Sequence, residues 1–231
     1  AHIIVKSAGF AASVFAATQY YPGVLSDFQF HVILTAIMYL DLCLHFDITG
    51  CISLSCFGVE VEESMIEPYL ASSLADFWGR RWNLTASATL RHLVYEPVVS
   101  GHLCAPAGVA GKQRRPSRTR RCIAVLACFA VSGAVHEYIM WFSTGWYSGE
   151  WFAFFFINGL ALTLETALKE LWRKRDLPDI PKWISTPVTI FVLLYLAELL
   201  FYPPVVASGW SQFGVDDIKN QLAWMGLLPA V

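Results

Sequence analysis

Apolar residues dominate five stretches of the chain, near 3–21, 28–49, 122–142, 151–168 and 186–206, and polar positions gather between them. Each stretch is close to the roughly 20 residues that a helix needs to cross about 30 Å of hydrocarbon. The pattern predicts an all-α, polytopic membrane helix bundle of about five spans. The first stretch is the least apolar, rich in Ala and Ser with Lys6 near its start. The fourth, "WFAFFFINGLALTLETAL", opens on the aromatic residues that favour a membrane–water interface.

The charges between these stretches set an orientation. "GKQRRPSRTRR", residues 111–121, precedes the third span, and "KELWRKRD", residues 169–176, follows the fourth; "STGWYSGE" between those spans carries no Lys or Arg. Positive loops stay in the cytosol, so both basic segments are expected there. Counting back, the loop 50–121 is cytosolic, the connection around "YYPGVLSD" is luminal, and Lys6 returns to the cytosolic side. The tail "SGWSQFGVDDIKNQLAWMGLLPAV" is then luminal, with Trp210 and Trp224 at the interface. No internal repeat supports an inverted-repeat transporter, and residues 1–231 are expected to form one membrane-embedded domain.

Composition agrees. Of 231 residues 56% are hydrophobic and 15% charged, with mean hydropathy +0.50, which excludes an ordinary soluble domain. A net charge of -2 gives no reason to expect nucleic acid as a partner. The cysteines at 43, 51, 56, 104, 122 and 128 form no C-x-x-C pair and no zinc spacing, so they read as small apolar residues rather than metal ligands or a disulfide framework. The chain starts at Ala1 without the basic flank and cleavage site of a signal peptide, as a fragment or processed chain would.

The loop 50–121 is too apolar for a linker and too interrupted by Pro and Gly for a span. In "EVEESMIEPYLASSLADFWGRRWN" the pattern predicts a turn at Glu67-Pro68, then a capping box of Ser73 with Asp76 that opens a surface helix over 74–95, ending ahead of Pro97. Thr85 to Thr89 are all small, which permits a close helix neighbour. Before them stand Trp78, Arg80, Arg81, Trp82 and Asn83. Guanidinium groups pair with phosphate oxygens and indoles suit the interface, so the arginines either snorkel to headgroups or hold a phosphorylated substrate. An amide such as Asn83, if buried here, needs partners.

The third span, "CIAVLACFAVSGAVHEYIMWF", contains His136 beside Glu137. Ionisable groups at such depth are costly, by roughly 2.5 kcal/mol or more for a carboxylate, and mark functional paths or helix–helix ties. At 1.5 Å per residue His136 lies about 21 Å beyond Cys122, so a cytosolic substrate needs a deep tunnel. The two side chains diverge by about 100°, which suits one to chemistry and the other to anchoring. Ser132, one turn earlier, is placed to hydrogen-bond to His136 or to its own helix. In the second span, beside His31, Asp41 and His45 are spaced for a local pair, and Asp47 is expected in solvent; Glu165 and Glu198 fall toward span ends. No two histidines have the spacing of a diiron histidine box, so no metal is expected.

"EPYLASSLADFWGRRWN" followed by "SGAVHEYIMWF" resembles the plant wax synthases, the long-chain-alcohol O-fatty-acyltransferases, which are similar to the membrane-bound O-acyltransferases. The resemblance covers residues 1–206, and members of that family have additional N-terminal spans. It implies that the catalytic histidine falls on His136 and the asparagine of the Trp-rich motif on Asn83, with Trp78, Arg80, Arg81, Trp82 and Glu137 at the substrate. An acidic residue that precedes the Trp pair in the related sterol and diacylglycerol enzymes is arginine here. The implied reaction joins acyl-CoA to a fatty alcohol in the endoplasmic reticulum membrane, with membrane lipid as surroundings and no cofactor beyond the co-substrate. Residues alone keep two other readings open. One is a transporter or scaffold with a polar path through His136, Glu137, Asp41 and His45. The other is an intramembrane hydrolase using Ser132 and His136, although Ala130 stands where a G-x-S-G pattern has its first glycine.

Overall fold

The structure is a computed structural model that describes residues 2–21, 23–101 and 116–210. Among them every regular element is helical. Four helical segments are long and apolar enough to cross a membrane: Asp27–Phe57, Arg118–Thr144, Glu150–Lys174 and Lys182–Ala207. The expected first span forms a helix, α1 (His2–Tyr20), but it is not one of these four. Its Lys6, Ser7, Ser13, Thr18 and Gln19 dilute the apolar run.

The chain divides into two compact units, residues 1–65 with 201–231, and residues 66–200. In the first unit α1 packs on α2 (Asp27–Phe57), which starts at a capping box between Ser26 and Gln29 and stops at Gly58. Gly58 takes φ 66°, a left-handed value that costs glycine little, and its N–H bonds the Leu54 carbonyl. The helix thus runs eight residues beyond the expected end of the span at 49, and the loop begins correspondingly later. Ala17 and Phe30 are buried at the contact, where Tyr21 stacks on Phe30. Asp47 is not left to solvent: Lys6 Nζ donates to its carboxylate at 2.7 Å, tying the helices together. Asp41 and His45 are exposed and form no ion pair among the described residues, which removes the local pair expected of them.

The second unit contains the loop and the other spans. Ser73 caps α3 (Leu74–Arg80) by accepting from the Asp76 N–H, as the pattern predicts. The predicted helix over 74–95 is nevertheless broken after α3. Asn83 takes φ 44°, a conformation that asparagine tolerates better than most residues, and its side-chain oxygen accepts from the Ala86 N–H to start α4 (Leu84–Leu90). Nor does the helix end before Pro97. A π-wound turn, Arg91–Tyr95, shifts the carbonyl register ahead of the proline, and α5 (Glu96–Ser100) carries Pro97 near its start, where a missing N–H is harmless. Leu90, at the edge of that turn, has its carbonyl met by Cys128 Sγ at 3.6 Å.

Two long helices follow, α6 (Arg118–Thr144) and α7 (Glu150–Lys174), joined by the short connection through Gly145 and Gly149 and therefore antiparallel. Arg118 at the start of α6 and Glu170 near the end of α7 pair at 2.7 Å, which brings the two basic ends side by side. After Pro181 comes α8 (Lys182–Leu196). A second π-wound turn, Ala197–Phe201, leads to α9 (Tyr202–Ala207), which belongs to the first unit. There Tyr202 stacks on His31 and hydrogen-bonds Thr35, so His31 has a packing role. Residues 111–115 of the basic stretch and the tail from residue 211 onward, with Trp224, lie outside the described residues.

Candidate functional site

The site is built on the α6–α7 pair, and two glycines set its spacing. A Cβ at Gly133 would lie 2.9 Å from the Phe152 carbonyl oxygen, and one at Gly159 would lie 2.8 Å from Phe129 Cβ. Only glycine fits at that approach, the small-residue contact that lets membrane helices pack tightly. Glu137 is buried there and divides its carboxylate between three backbone donors: Oε1 accepts from Ser148 N–H at 3.0 Å and Gly149 N–H at 2.7 Å, and Oε2 from Phe152 N–H at 3.2 Å. Gly149 has no side chain to cap α7, so a carboxylate from the neighbouring helix satisfies the orphan amides and the positive end of the helix dipole. Glu137, expected at the substrate, is committed to the helix start.

His136 points elsewhere, as the 100° divergence required. Its Nδ1 lies 2.7 Å from the Ser132 carbonyl oxygen. A carbonyl can only accept, so Nδ1 carries a proton, and in the neutral form of the ring the lone pair is then on Nε2. It is the peptide carbonyl of Ser132, not its hydroxyl, that holds the ring. Phe155 packs on the imidazole with centroids 4.0 Å apart, and Trp151 meets it edge-on at 6.1 Å. The ring is half-buried.

The Trp-Arg motif reaches this core through Trp78. Its indole contacts Phe129, Phe154 and Phe155, and its Nε1–H donates to Asn158 Oδ1 at 3.2 Å. Trp82 stacks on Phe77 instead. Arg81 folds back. Its Nε donates to Asp76 at 2.8 Å and its Nη1 to the carbonyls of Ile66 and Glu67, while Ile66 N–H returns a bond to the Arg81 carbonyl. Asp76 therefore completes an ion pair and accepts from Ser72 N–H, where the capping box would have sent it to Ser73. Burial alone would raise the Asp76 carboxyl; the hydrogen bonds from Arg81 and Ser72 and the charges of Arg81 and Arg80 outweigh it and hold the group below the usual carboxylate value.

Beside this latch opens a pocket of about 560 Å³ between α3, the end of α7 and the start of α8. Arg80, Arg81, Lys169, Arg173 and Lys182 line it with Asp76 and Glu170. Arg81, Lys169 and Glu170 are spent on Asp76, Glu165 and Arg118, whereas Arg80, Arg173 and Lys182 enter no ion pair among the described residues. A polar pocket with surplus positive charge is chemically suited to phosphate. His136 is not part of its lining.

Residues 61–157 match the membrane bound O-acyl transferase family. A probable long-chain-alcohol O-fatty-acyltransferase 2 of Arabidopsis thaliana is 34% identical over 200 residues, which are 81% of this chain and 52% of that protein. The chain belongs to the membrane-bound O-acyltransferase family. Its resemblance to the plant wax synthases extends to the long-chain-alcohol O-fatty-acyltransferase of Simmondsia chinensis, 28% identical over 227 residues, 90% of this chain and 60% of that protein. An acyl-CoA–sterol O-acyltransferase 1 of Arabidopsis thaliana is 38% identical over 151 residues, 63% of this chain and 39% of that protein. The chain spans about half the length of the first of these relatives. The family match and the four apolar helices together make it an integral membrane protein.

Trp78, Asn83, His136 and Glu137 all fall inside the matched residues. Sequence reasoning missed Asn158, which is wholly buried, and the bond of Asp76 to Arg81. An asparagine within the apolar run of α7 was the available signal for the first; the second needed the break at residues 81–83.

Proposed function

We propose that this chain carries the acyl-transfer site of an O-acyltransferase that moves a fatty acyl group from acyl-CoA to a long-chain alcohol, giving a wax ester and CoA. The observation that carries the reading is the Nδ1–H bond of His136 to the Ser132 carbonyl, because it leaves Nε2 as a base in an aromatic pocket. Nε2 takes the alcohol proton as the alcohol oxygen attacks the thioester carbonyl; the tetrahedral adduct collapses, the C–S bond breaks, and the imidazolium returns its proton to the CoA thiolate. Asn83 is proposed to donate an amide N–H to the oxyanion, with its carbonyl oxygen already turned toward Ala86. Loss of such a donor costs about 3 kcal/mol of transition-state stabilisation. Arg80 and the pocket cations would receive the phosphates of the CoA, with Arg81 holding the pocket wall.

Transfer is direct in this reading, since the serine nearest His136 in sequence offers it only a backbone carbonyl. The two basic ends paired through Arg118 and Glu170 face the cytosol, where acyl-CoA is supplied, and the membrane is that of the endoplasmic reticulum. A fatty alcohol is the favoured acceptor because the relatives from Arabidopsis thaliana and Simmondsia chinensis named above are called long-chain-alcohol acyltransferases; the relative named for a sterol makes a sterol the second reading. The test is ester synthesis in microsomes from labelled palmitoyl-CoA offered with hexadecanol, a sterol or a short alcohol. Hexadecyl palmitate as the main product supports the reading, and a sterol ester replaces the acceptor. Substrate flux without CoA release by an expressed, folded protein would reinstate the transporter.

A further inference from the structure

Asn158 is the one fully buried polar side chain that touches the Trp-Arg motif among the described residues, and nothing in the acyl-transfer scheme uses it. Its two bonds fix the orientation of its amide. Trp78 Nε1–H can only donate, so it meets Oδ1 at 3.2 Å; the Phe154 carbonyl can only accept, so it meets Nδ2 at 2.9 Å. A leucine at this position and a phenylalanine at Trp78 would fill similar space without burying polar atoms, and burying them is costly unless every bond is made. Packing alone therefore does not explain the pair. What the pair adds is direction: the hydrogen bond fixes the rotation of the indole about its own axis.

That direction is passed on by contact. The indole lies against Phe155 with centroids 5.8 Å apart at 58°, and Phe155 in turn covers the His136 ring at 4.0 Å and 33°. Among the described residues the imidazole has one hydrogen bond, at Nδ1, about which it can still swing; Phe155, packed on its face, and Trp151, edge-on, limit the swing. We propose that Asn158 is a positioning residue which, through Trp78 and Phe155, holds the His136 ring so that Nε2 faces the reacting alcohol. The proposal rests on the acyl-transfer reading above. It assigns to the bond between α3 and α7 the task of coupling the Trp-Arg motif to the base, so that the motif sets the geometry of catalysis and not the affinity for the donor alone.

The experiment compares the full-length protein with Asn158→Leu, Asn158→Asp and Trp78→Phe in two assays. Ester synthesis gives kcat and KM for palmitoyl-CoA. Carbethoxylation of His136 by diethyl pyrocarbonate, followed residue by residue by mass spectrometry, reports the ring without any turnover. Displacing a catalytic group by an ångström costs about 100-fold, so Asn158→Leu is expected to lower kcat about 10- to 100-fold with KM within about twofold, and to change the His136 modification rate severalfold. Asn158→Asp keeps an acceptor for the indole and is expected to retain more activity than Asn158→Leu. Trp78→Phe should reproduce the loss and leave little for Asn158→Leu to add, because the two act as a unit. If Asn158→Leu does not fold, Asn158→Asp and Trp78→Phe carry the comparison. An unchanged kcat in the Trp78→Phe or Asn158 variants, or a His136 modification rate equal to the parent's, overturns the proposal. A parent that makes no ester refutes the acyl-transfer reading instead, while the modification rates still report whether Asn158 orients the ring.

Discussion

The α1–α2 pair and the α6–α7 pair are both antiparallel apolar hairpins, yet they are held in different ways. In the first, Ala17 and Phe30 meet, Tyr21 stacks on Phe30, and the polar tie is a single half-buried ion pair of Lys6 with Asp47 near one end. In the second, two glycines press against Phe152 and Phe129, a buried carboxylate caps the neighbouring helix with three bonds, and a wholly buried asparagine reaches across to α3. Apolar contacts and a flexible ion pair tolerate small shifts; glycine contacts and multiply bonded buried groups do not. The rigid pair is the one that carries His136. If His136 is the base proposed above, it has to be aimed, and its frame is made of interactions that fail when misplaced.

The difference is sharpest at Glu137. Replacing it by Leu leaves the Ser148, Gly149 and Phe152 amides without their acceptor, and removing a charged partner from buried donors costs about 3 kcal/mol. The expected result is a large drop in unfolding temperature in detergent; an unchanged temperature would break the distinction between the pairs. Gly133→Ala comes next. A methyl group 2.9 Å from the Phe152 carbonyl forces α6 and α7 apart, for about 1–3 kcal/mol and a loss of ester synthesis larger than the loss of folded protein.

A smaller effect follows from acid. The Asp76 carboxyl is held low in the folded state, so its contribution is complete above the unfolded value of about 3.9 and is lost as pH falls through the lower folded value. Proteolysis around residues 66–82 is expected to quicken only below about pH 4, and in Arg81→Ala the quickening should already be present at neutral pH. The smallest effect belongs to the tolerant pair: Lys6→Ala is expected to shift stability by less than about 1 kcal/mol, read from the same thermal unfolding as Glu137→Leu.

Much of this was legible along the chain. Apolar runs of span length located four of the helices, Ser73 announced the start of α3, and a His-Glu pair inside an apolar run marked the stretch of α6 that ties to the start of α7. The break at Asn83 was hidden because the helical periodicity continues across it; the αL turn is fixed by the Arg81 bonds to residues 66 and 67, a contact between positions far apart in sequence. Pro97 reads as a stop in the sequence because a π-wound turn ahead of it has no compositional signature. The divergence of His136 and Glu137 follows from helix geometry, but that Glu137 is the anchor depended on the Gly145–Gly149 connection bringing the α7 amides back onto α6. Asn158 became visible only once Trp78 lay beside it.

The most direct test of His136 as the base is His136→Gln, which keeps a side chain able to hydrogen-bond but unable to take a proton near neutral pH. Ester synthesis should be measured at saturating palmitoyl-CoA and hexadecanol with expression and folding matched to the parent. The account predicts a fall in kcat of about 10²- to 10⁴-fold with the KM for palmitoyl-CoA little changed. A variant that synthesises ester within a few-fold of the parent rate would contradict it, and the base would have to be sought elsewhere.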